Sequence, residues 1–337
     1  MTDSRIATPI DLSAKGKRFG RIAVPLSRHE SAYGHIPVPI AVVVGGPGPT
    51  VFLSGGVHGD EYEGQLEIAR FLREIGEGDV KGRIIAIPSM NLPAALAHRR
   101  TSPVDDVNLG RAFPGERDGT VTRMFAHYVE HEVLPLADFV LDMHSGGSSL
   151  DYTPAAIARE GPDLQKTRAA LAAFGAPMAA VMRDARAEAD SPTSGGDDRT
   201  MLASCQRRGI ECIATEMGGS GTARPLTLAI ARRGLRNVLA HWQVLDASAA
   251  RPAETRQVDV RPEHHVYATH RGVFAPDFDL GEEVPDGARL GFIHDLEHPE
   301  DAPIPVIARA GGSMLARRVP AKVEPGDCLA QLCAPAE

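Results

Sequence analysis

The sequence lacks the features that several protein classes require. No run approaches the roughly 18 consecutive apolar residues of a membrane-spanning helix, and the first segment, MTDSRIATPIDLSAKGKRFG, lacks the apolar core of a secretory signal. Cysteine is scarce: Cys205, Cys212, Cys328 and Cys333 show no C-x-x-C spacing and are too few for a disulfide framework. We therefore expect a cytoplasmic protein whose cysteines are reduced and serve as packing residues.

An excess of basic residues is also missing. The 36 Lys and Arg residues are outnumbered by 44 Asp and Glu residues, and the resulting net charge of −8 argues against nucleic-acid binding, because a phosphate backbone requires a basic surface. Hydrophobic residues make up 43% of the 337 residues, which suffices for the cores of about two domains and argues against intrinsic disorder. The 13 histidines invite explanation, since histidine is the commonest metal ligand.

Strand-like apolar runs alternate with amphipathic segments in the first part of the chain, from about residue 36 to 245. This alternation predicts an α/β fold over residues 1–250, with a mixed, largely parallel sheet covered by helices on both faces. The runs are bounded by glycine or proline and are rich in Val and Ile. The predicted helices span residues 61–75, 121–134, 162–174, 198–207 and 222–245.

The pattern changes near the C-terminus. Residues 251–262 are polar and contain proline, and we predict a linker there. Residues 263–337 consist of brief strand-like pieces between glycines and prolines, which predicts a small all-β domain. Its two halves look like biotinyl/lipoyl-type hairpins without an attachment lysine, so its role as a lid, an oligomer contact or a steric filter stays open.

A candidate metal site begins in the segment GGVHGDEYEG, which follows the strand-like run TVFLS. In an open α/β sheet, ligands bind at the carboxyl ends of strands. His58 and Glu61 are three residues apart and would meet on one side of the first turn of a helix. An imidazole and a carboxylate are two of the three protein ligands that catalytic zinc typically uses, although H-x-x-E also occurs by chance.

A second strand-like run, ADFVLDMHSGG, ends in another histidine. His144 would complete a set of two histidines and one glutamate that leaves a coordination position open for water, as hydrolytic zinc sites require. Asp142 lies two residues earlier on the same strand face and could orient a neighbouring histidine. The alternative for Asp142 is a carboxylate that caps a loop.

A third run, GIECIATEMGG, brings Glu216 to a strand end beside glycines that permit close approach of a substrate. Such a carboxylate suits a general base that takes a proton from the attacking water. The alternative is an exposed glutamate without a catalytic part. Between the runs, Arg100 and Arg111 lie in an irregular polar segment, where a guanidinium could bind a carboxylate or a developing oxyanion, or could simply be exposed.

Other histidines are weaker candidates. His127 and His131 are four residues apart, but the apolar stripe of their helix places them, with Glu130, on the opposite, solvated face. The remaining candidates lie in the C-terminal part, lack a convincing third ligand and are expected at the surface: His264, His265, His294 and His298. No strand is followed by a G-x-S-x-G, Walker or G-x-G-x-x-G motif, which disfavours serine hydrolases, NTPases and dinucleotide-binding proteins.

In their order along the chain, GGVHGDEYEG, NLGRAFPG, LDMHSGG and TEMGGSG resemble the succinylglutamate desuccinylase/aspartoacylase family of the zinc carboxypeptidase-like superfamily. The resemblance covers nearly the whole chain, because members of this branch also append a small β-rich C-terminal domain. It implies one Zn²⁺ per chain, held by His58, Glu61 and His144, with Glu216 as the general base.

The resemblance also implies two arginine roles. Arg111, before Phe-Pro, would bind the substrate carboxylate, and Arg100 would stabilise the oxyanion. Gly110 departs from the family, which usually has asparagine there, and Asn108 could supply the missing amide as a substrate-binding residue.

Within the family, the segments at 100–103, 113–122 and 215–221 are most similar to deacetylases of N-acetyl-L-2,4-diaminobutyrate. The resemblance thus implies a zinc-dependent amidohydrolase that removes an acyl group from a small N-acyl amino acid. We expect no nucleic-acid or membrane partner, and whether the chain forms a homo-oligomer stays open. The alternatives are a metallocarboxypeptidase acting on small peptides and a catalytically inactive binding or assembly protein of the same fold.

Overall fold

The computed structural model describes residues 4–160, 163–182 and 198–336. A long antiparallel hairpin opens the chain, formed by β1 (Gly16–Arg28) and β2 (Ser31–Val44). Strand β1 was not predicted, because charged residues interrupt its apolar pattern. Ile22 and Val24 alternate on its buried side, as expected for a strand with one face on the core.

The middle of the chain supplies the central strands, which are β3 (Thr50–Gly55), β4 (Arg83–Ile87), β5 (Phe139–His144), β6 (Leu150–Tyr152), β7 (Ala155–Arg159), β8 (Met178–Met182), β9 (Glu211–Glu216) and β10 (Arg256–Val260). Six helices accompany them in the described residues, namely α1 (Tyr62–Glu74), α2 (Leu92–Ala97), α3 (Val121–Tyr128), α4 (Leu164–Phe174), α5 (Met201–Arg208) and α6 (Pro225–His241). Strand β3 pairs in parallel with β4 and β5, β5 with β9, and β8 with both β7 and β10, while β7 and β9 are antiparallel.

Helices cover both faces of this sheet. Successive residues of β3 point to opposite sides: Val51 and Leu53 join a core cluster shared with α1, α4 and α6, whereas Phe52 joins a second cluster shared with α3 and α5. The predicted fold class, a mixed and largely parallel sheet between helices, is therefore confirmed. Buried, nearly continuous apolar strands are what a sheet covered on both faces requires.

The helix predicted over 121–134 changes its winding. Helix α3 ends at Tyr128, and the chain continues as a π-helical turn over Val129–Val133. The change alters which side chains face inward, so Glu130, expected on the solvated face, is buried and lies 2.8 Å from the Nε atom of Arg208. The expectation for Glu130 was wrong because it assumed one unbroken α-helical period.

The C-terminal strands are β11 (His265–Tyr267), β12 (Gly272–Pro276), β13 (Glu283–Val284), β14 (Arg289–His294), β15 (Ile304–Ile307), β16 (Gly312–Arg318), β17 (Lys322–Val323) and β18 (Cys328–Pro335). Strands β15, β14, β12 and β17 form a separate four-stranded antiparallel sheet, as expected for a small all-β domain.

The two parts of the chain are joined by hydrogen-bonded strands. Strand β10, inside the predicted linker 251–262, pairs in parallel with β8 and antiparallel with β18. Strand β16 in turn pairs with β18 and with β6. The central sheet therefore continues into the C-terminal region.

His264 is buried and accepts a hydrogen bond at Nδ1 from the backbone of Arg261, so its predicted surface position was wrong. All four cysteines are free thiols, and Cys205 and Cys333 are buried. Among the described residues, no helix is both long and apolar enough to cross a membrane.

Candidate metal centre

Three neighbouring parallel strands, β3, β5 and β9, end at the same edge of the sheet. Their register pairs Ser54 with Asp142 and His144 with Glu216. The turn that carries His58 follows β3 directly and leads into α1. A ligand site is expected at the carboxyl ends of such strands. These strand ends bring together the side chains that were predicted from the sequence to form the site.

His58, Glu61 and His144 form one compact cluster. The Nδ1 atom of His58 lies 2.7 Å from Oε1 of Glu61, and the Nδ1 atom of His144 lies 2.7 Å from Oε2 of the same carboxylate. One ligand atom from each residue lies within 4.8 Å of the others, so the three could hold a metal ion. His58 and Glu61 are buried, and His144 is partly buried.

The opposite nitrogen of each ring has its own acceptor. The Nε2 atom of His58 lies 2.9 Å from Oδ1 of Asn108, and the Nε2 atom of His144 lies 3.0 Å from Oδ2 of Asp142. With a cation beside the two Nδ1 atoms, the acceptors at both Nε2 positions would favour the tautomers with Nε2–H, whose Nδ1 lone pairs face the ion. Two imidazole nitrogens and one carboxylate are a donor set that suits Zn²⁺.

Asp142 and Asn108 thereby orient His144 and His58 through their Nε2 atoms. The other oxygen of Asp142 accepts a 2.6 Å hydrogen bond from the hydroxyl of Ser54, which fixes the carboxylate in the sheet. Asn108 was predicted to bind substrate. In the structure its side-chain oxygen contacts Nε2 of His58.

Asp60 ties the two ligand-bearing loops together. Its Oδ2 atom accepts hydrogen bonds from the backbone N–H and the hydroxyl of Ser148, at 2.8 and 2.7 Å, and a Cβ on Gly147 would come within 2.7 Å of the same oxygen. No role was predicted for Asp60, although it lies within GGVHGDEYEG. Its partner is 88 residues away, and only the fold identifies that contact.

Arg100 contacts the cluster directly, and Arg111 lies beside Gly110 in the adjoining loop. Arg100 donates from Nη1 to Oε1 of Glu61 at 3.3 Å, with 42% of its side chain exposed. Arg111 is exposed and donates to the backbone oxygen of Gly110 at 2.9 Å. A Cβ on Gly110 would lie 2.8 Å from Nε2 of His58, so the segment can pass this close to the ring only without a side chain at that position.

The pKa values of the groups in and beside the cluster are shifted in different directions. Burial raises the pKa of Glu216 to about 8, and the negative charge of Glu61 adds to the rise. Burial lowers the pKa of His58, whereas the carboxylates of Asp142 and Glu61 outweigh burial at His144 and hold its pKa well above the usual range. A carboxyl with a pKa near neutral pH can both accept and return a proton.

Within the described ranges, the competing histidines form no such site. The rings of His127 and His131 lie close, with centroids 4.3 Å apart, but among the described residues the one group of three or more potential ligands is His58, Glu61 and His144. His294 and His298 are exposed, as expected.

Comparison with known proteins identifies relatives of this chain. Residues 47–242 match the model of the succinylglutamate desuccinylase/aspartoacylase catalytic domain. The chain is 39% identical over 332 residues to the N-alpha-acetyl-L-2,4-diaminobutyric acid deacetylase of Halomonas elongata, an alignment that covers 97% of this chain and 94% of the relative.

Solved structures agree over nearly the full length. A succinylglutamate desuccinylase/aspartoacylase from Rhodobacter sphaeroides superposes with a TM-score of 0.91 at 37% identity, covering 99% of this chain and 100% of that one. A product-bound structure of the ectoine utilization protein EutE (DoeB) from Ruegeria pomeroyi gives a TM-score of 0.92 at 34% identity, covering 98% and 99%. The chain belongs to the succinylglutamate desuccinylase/aspartoacylase family.

Proposed function

We propose that this chain is a zinc-dependent amidohydrolase that removes the acyl group from a small N-acyl amino acid, with N-acetyl-L-2,4-diaminobutyrate as the leading substrate. The observation that carries the proposal is the cluster of His58, Glu61 and His144, with the carboxyl of Glu216 at the neighbouring strand end. The activity named for the Halomonas elongata relative supports the choice of substrate.

His58, Glu61 and His144 would hold the Zn²⁺ through the two Nδ1 atoms and the carboxylate. When bound, the ion lowers the pKa of a coordinated water to about 7 and polarises the scissile carbonyl. Asn108 and Asp142 keep the two imidazoles in the tautomer that the ion needs.

Glu216 performs the proton transfers. Its Oε2 atom is enclosed and has no hydrogen-bond partner among the described residues, so it is available to the reacting groups. The carboxylate accepts a proton from the attacking water and returns it to the leaving amine nitrogen as the amide bond breaks. Burial, which raises its pKa to about 8, favours this exchange near neutral pH.

The two arginines orient the substrate. Arg100, hydrogen-bonded to Glu61 at the cluster, stabilises the negative charge that develops on the carbonyl oxygen. Arg111 binds the substrate carboxylate with its planar guanidinium. In this proposal residues 1–250 carry the chemistry, with 251–262 as the connection to the C-terminal domain, 263–337.

The test is a substrate panel measured with and without a chelator. N-acetyl and N-succinyl amino acids, including N-acetyl-L-2,4-diaminobutyrate, are compared with dipeptides of similar size. We expect hydrolysis of an N-acyl amino acid that a chelator abolishes and added Zn²⁺ restores. A preference for dipeptides would indicate a metallocarboxypeptidase, and a metal-loaded protein inactive on the whole panel would indicate a binding protein.

A further inference from the structure

A short irregular loop presents two side chains to the candidate metal centre. Arg100 donates to Oε1 of Glu61 at 3.3 Å, and Oδ1 of Asn108 lies 2.9 Å from Nε2 of His58. The described chain between Arg100 and Asn108 forms turns, and neither helix nor strand. Both contacts with the cluster therefore depend on what holds this loop in place.

The loop closes on itself between Arg100 and Asn108. The backbone N–H of Ser102 donates to the carbonyl of Val107 at 3.1 Å, and the N–H of Asp106 donates to the carbonyl of Ser102 at 2.8 Å. Ser102 is fully buried. Arg100 and Asn108 thus flank one hydrogen-bonded turn, so a displacement of the turn moves both of them.

The carboxylate of Asp105 ties this turn to helix α3. Its Oδ2 atom accepts a 2.9 Å hydrogen bond from the backbone N–H of Thr122, and its Oδ1 atom accepts a 2.8 Å hydrogen bond from the hydroxyl of the same threonine. Oδ1 also accepts from the backbone N–H of Val107, at 3.4 Å. Asp105 therefore joins the start of the helix to the residue that precedes Asn108.

The N-terminus of α3 uses this carboxylate as its cap. Thr120 is the N-cap residue, but within the described ranges its own side chain makes no capping hydrogen bond. The first N–H groups of a helix have no partner inside it, and the helix dipole stabilises a negative charge beside them. Burial acts to raise the pKa of Asp105, but hydrogen bonds, led by the one from the N–H of Thr122, outweigh burial and hold the pKa below its ordinary value. The group is therefore ionised at neutral pH.

Helix α3 is a firm point of attachment. Phe125 and Ala126 are buried in the core cluster that the helix shares with the sheet. Leu109, the residue after Asn108, is fully buried in the same cluster. The core thus holds the loop at its Asn108 end, whereas Asp105 holds the turn that connects this end to Arg100.

We propose that Asp105 is a positioning residue, which holds through Thr122 the turn that sets Arg100 and Asn108 against the cluster. This inference rests on the proposed function, in which Arg100 stabilises the developing oxyanion. Asp105 acts through the loop and not on the substrate. Its effect is large all the same, because a displacement of about 1 Å at a site group can lower the rate by about 100-fold.

The test compares Asp105→Ala with Asp163→Ala. Asp163 is a matched control, because its carboxylate accepts a hydrogen bond from the backbone N–H of Lys166 in the first turn of α4, on the opposite face of the sheet. Both variants should lose a similar amount of thermal stability, since each loses a helix cap.

Only Asp105→Ala should also change the site. At a temperature where both variants are folded, we expect it to lower kcat/KM by about 100-fold. Zinc affinity, measured by competition with a chromogenic chelator, should fall by about 10-fold, because Asn108 no longer orients His58. Asp163→Ala should match the wild type in both measurements.

Substitutions of Thr122 provide a second comparison, in which Asp105 keeps its charge. Thr122→Val keeps the backbone N–H and the shape of the side chain but loses the hydroxyl that donates to Oδ1 of Asp105. We expect it to lower kcat/KM and zinc affinity in the same direction as Asp105→Ala and by less. Thr122→Ser keeps the donor and should restore both values.

Equal kcat/KM and zinc affinity in Asp105→Ala and Asp163→Ala would overturn the positioning role, whatever the two melting temperatures are. Thr122→Val and Thr122→Ser that match each other in both values would overturn it as well. A wild-type chain that hydrolyses no N-acyl amino acid overturns the proposed function instead, and the zinc affinities of the same variants then decide the role of Asp105 by themselves.

Discussion

The side-chain oxygen of Asn108 lies 2.9 Å from Nε2 of His58, on the side of the ring that faces away from Glu61. This contact makes the loop between residues 99 and 115 part of the cluster that could hold a metal ion. It also explains the glycine two residues later, because Gly110 passes so close to the same ring that any Cβ would contact it.

The ring contacts of Asn108 and Asp142 predict a change in metal affinity. Asn108→Ala and Asp142→Ala each remove the acceptor that holds one histidine tautomer, and we expect zinc affinity to fall by about 10- to 100-fold. Competition with a chromogenic chelator measures the change. Asp106→Ala, at an exposed carboxylate of the same loop, is the matched control and should retain wild-type affinity. Unchanged zinc affinity in both first variants would contradict the orienting role.

The proximity of Gly110 to His58 predicts that a methyl group here is harmful. In Gly110→Ala the new Cβ would lie 2.8 Å from Nε2 of His58, so the ring or the loop must move. We expect weaker zinc binding and a loss of stability of about 1 to 3 kcal/mol, typical of overpacking. Gly46→Ala is the control, because a Cβ there meets nothing within 4 Å. Equal thermal stability and zinc affinity in the two variants would argue against the contact.

Zinc content should depend on His58 and His144 and not on His127 and His131. His58→Ala and His144→Ala each remove one ligand of the cluster, so we expect both purified variants to contain almost no zinc. His127→Ala and His131→Ala remove members of a ring pair that belongs to no group of three potential ligands among the described residues, and both variants should contain as much zinc as the wild type. Elemental analysis of all four decides the assignment, and zinc loss from either control would refute it.

Loss of the Glu216 carboxylate should separate catalysis from metal binding. Glu216→Gln keeps the shape of the side chain but cannot accept a proton, and we expect kcat to fall by about 10²- to 10⁴-fold. Zinc content should stay at the wild-type level, because Glu216 is not one of the clustered ligands. Glu254→Gln, at an exposed carboxylate, serves as the control. Activity of Glu216→Gln close to that of the wild type would remove Glu216 from the mechanism.

The raised pKa of Glu216 also predicts how the stability of the metal-free protein varies with pH. Its folded-state pKa is about 8 against an ordinary 4.5, so between these values the folded chain holds a proton that the unfolded chain releases. The stabilising contribution of the protonated carboxyl is complete below about pH 4.5 and is lost as the pH rises through about 8.

Glu216→Gln, which is neutral throughout, should therefore melt at a higher temperature than the wild type at about pH 8.5 and at nearly the same temperature at about pH 5. Calorimetry of the two chelator-treated proteins measures the difference. The same difference in melting temperature at both pH values would show that Glu216 titrates normally.

The sequence was informative wherever a short segment carries both the structural and the chemical signal. The strand-like runs before His58, His144 and Glu216 are confirmed as β3, β5 and β9, and parallel strands bring their carboxyl ends to one edge. It was less informative where the helical period changes, as at Glu130, and where charged residues interrupt an alternating strand, as in β1.

By itself, then, the sequence determined the α/β class, the family resemblance and the residues that could bind a metal, because adjacent residues and strand ends encode these directly. Only the tertiary structure decided which distant segments meet. Asn108 contacts His58, Ser148 contacts Asp60, and strand β16 lies beside Tyr152. These partners are 50, 88 and more than 160 residues apart, so no local pattern identifies them. Side chains that are distant in sequence meet only when the sheet forms, and the orientation of the site depends on those meetings.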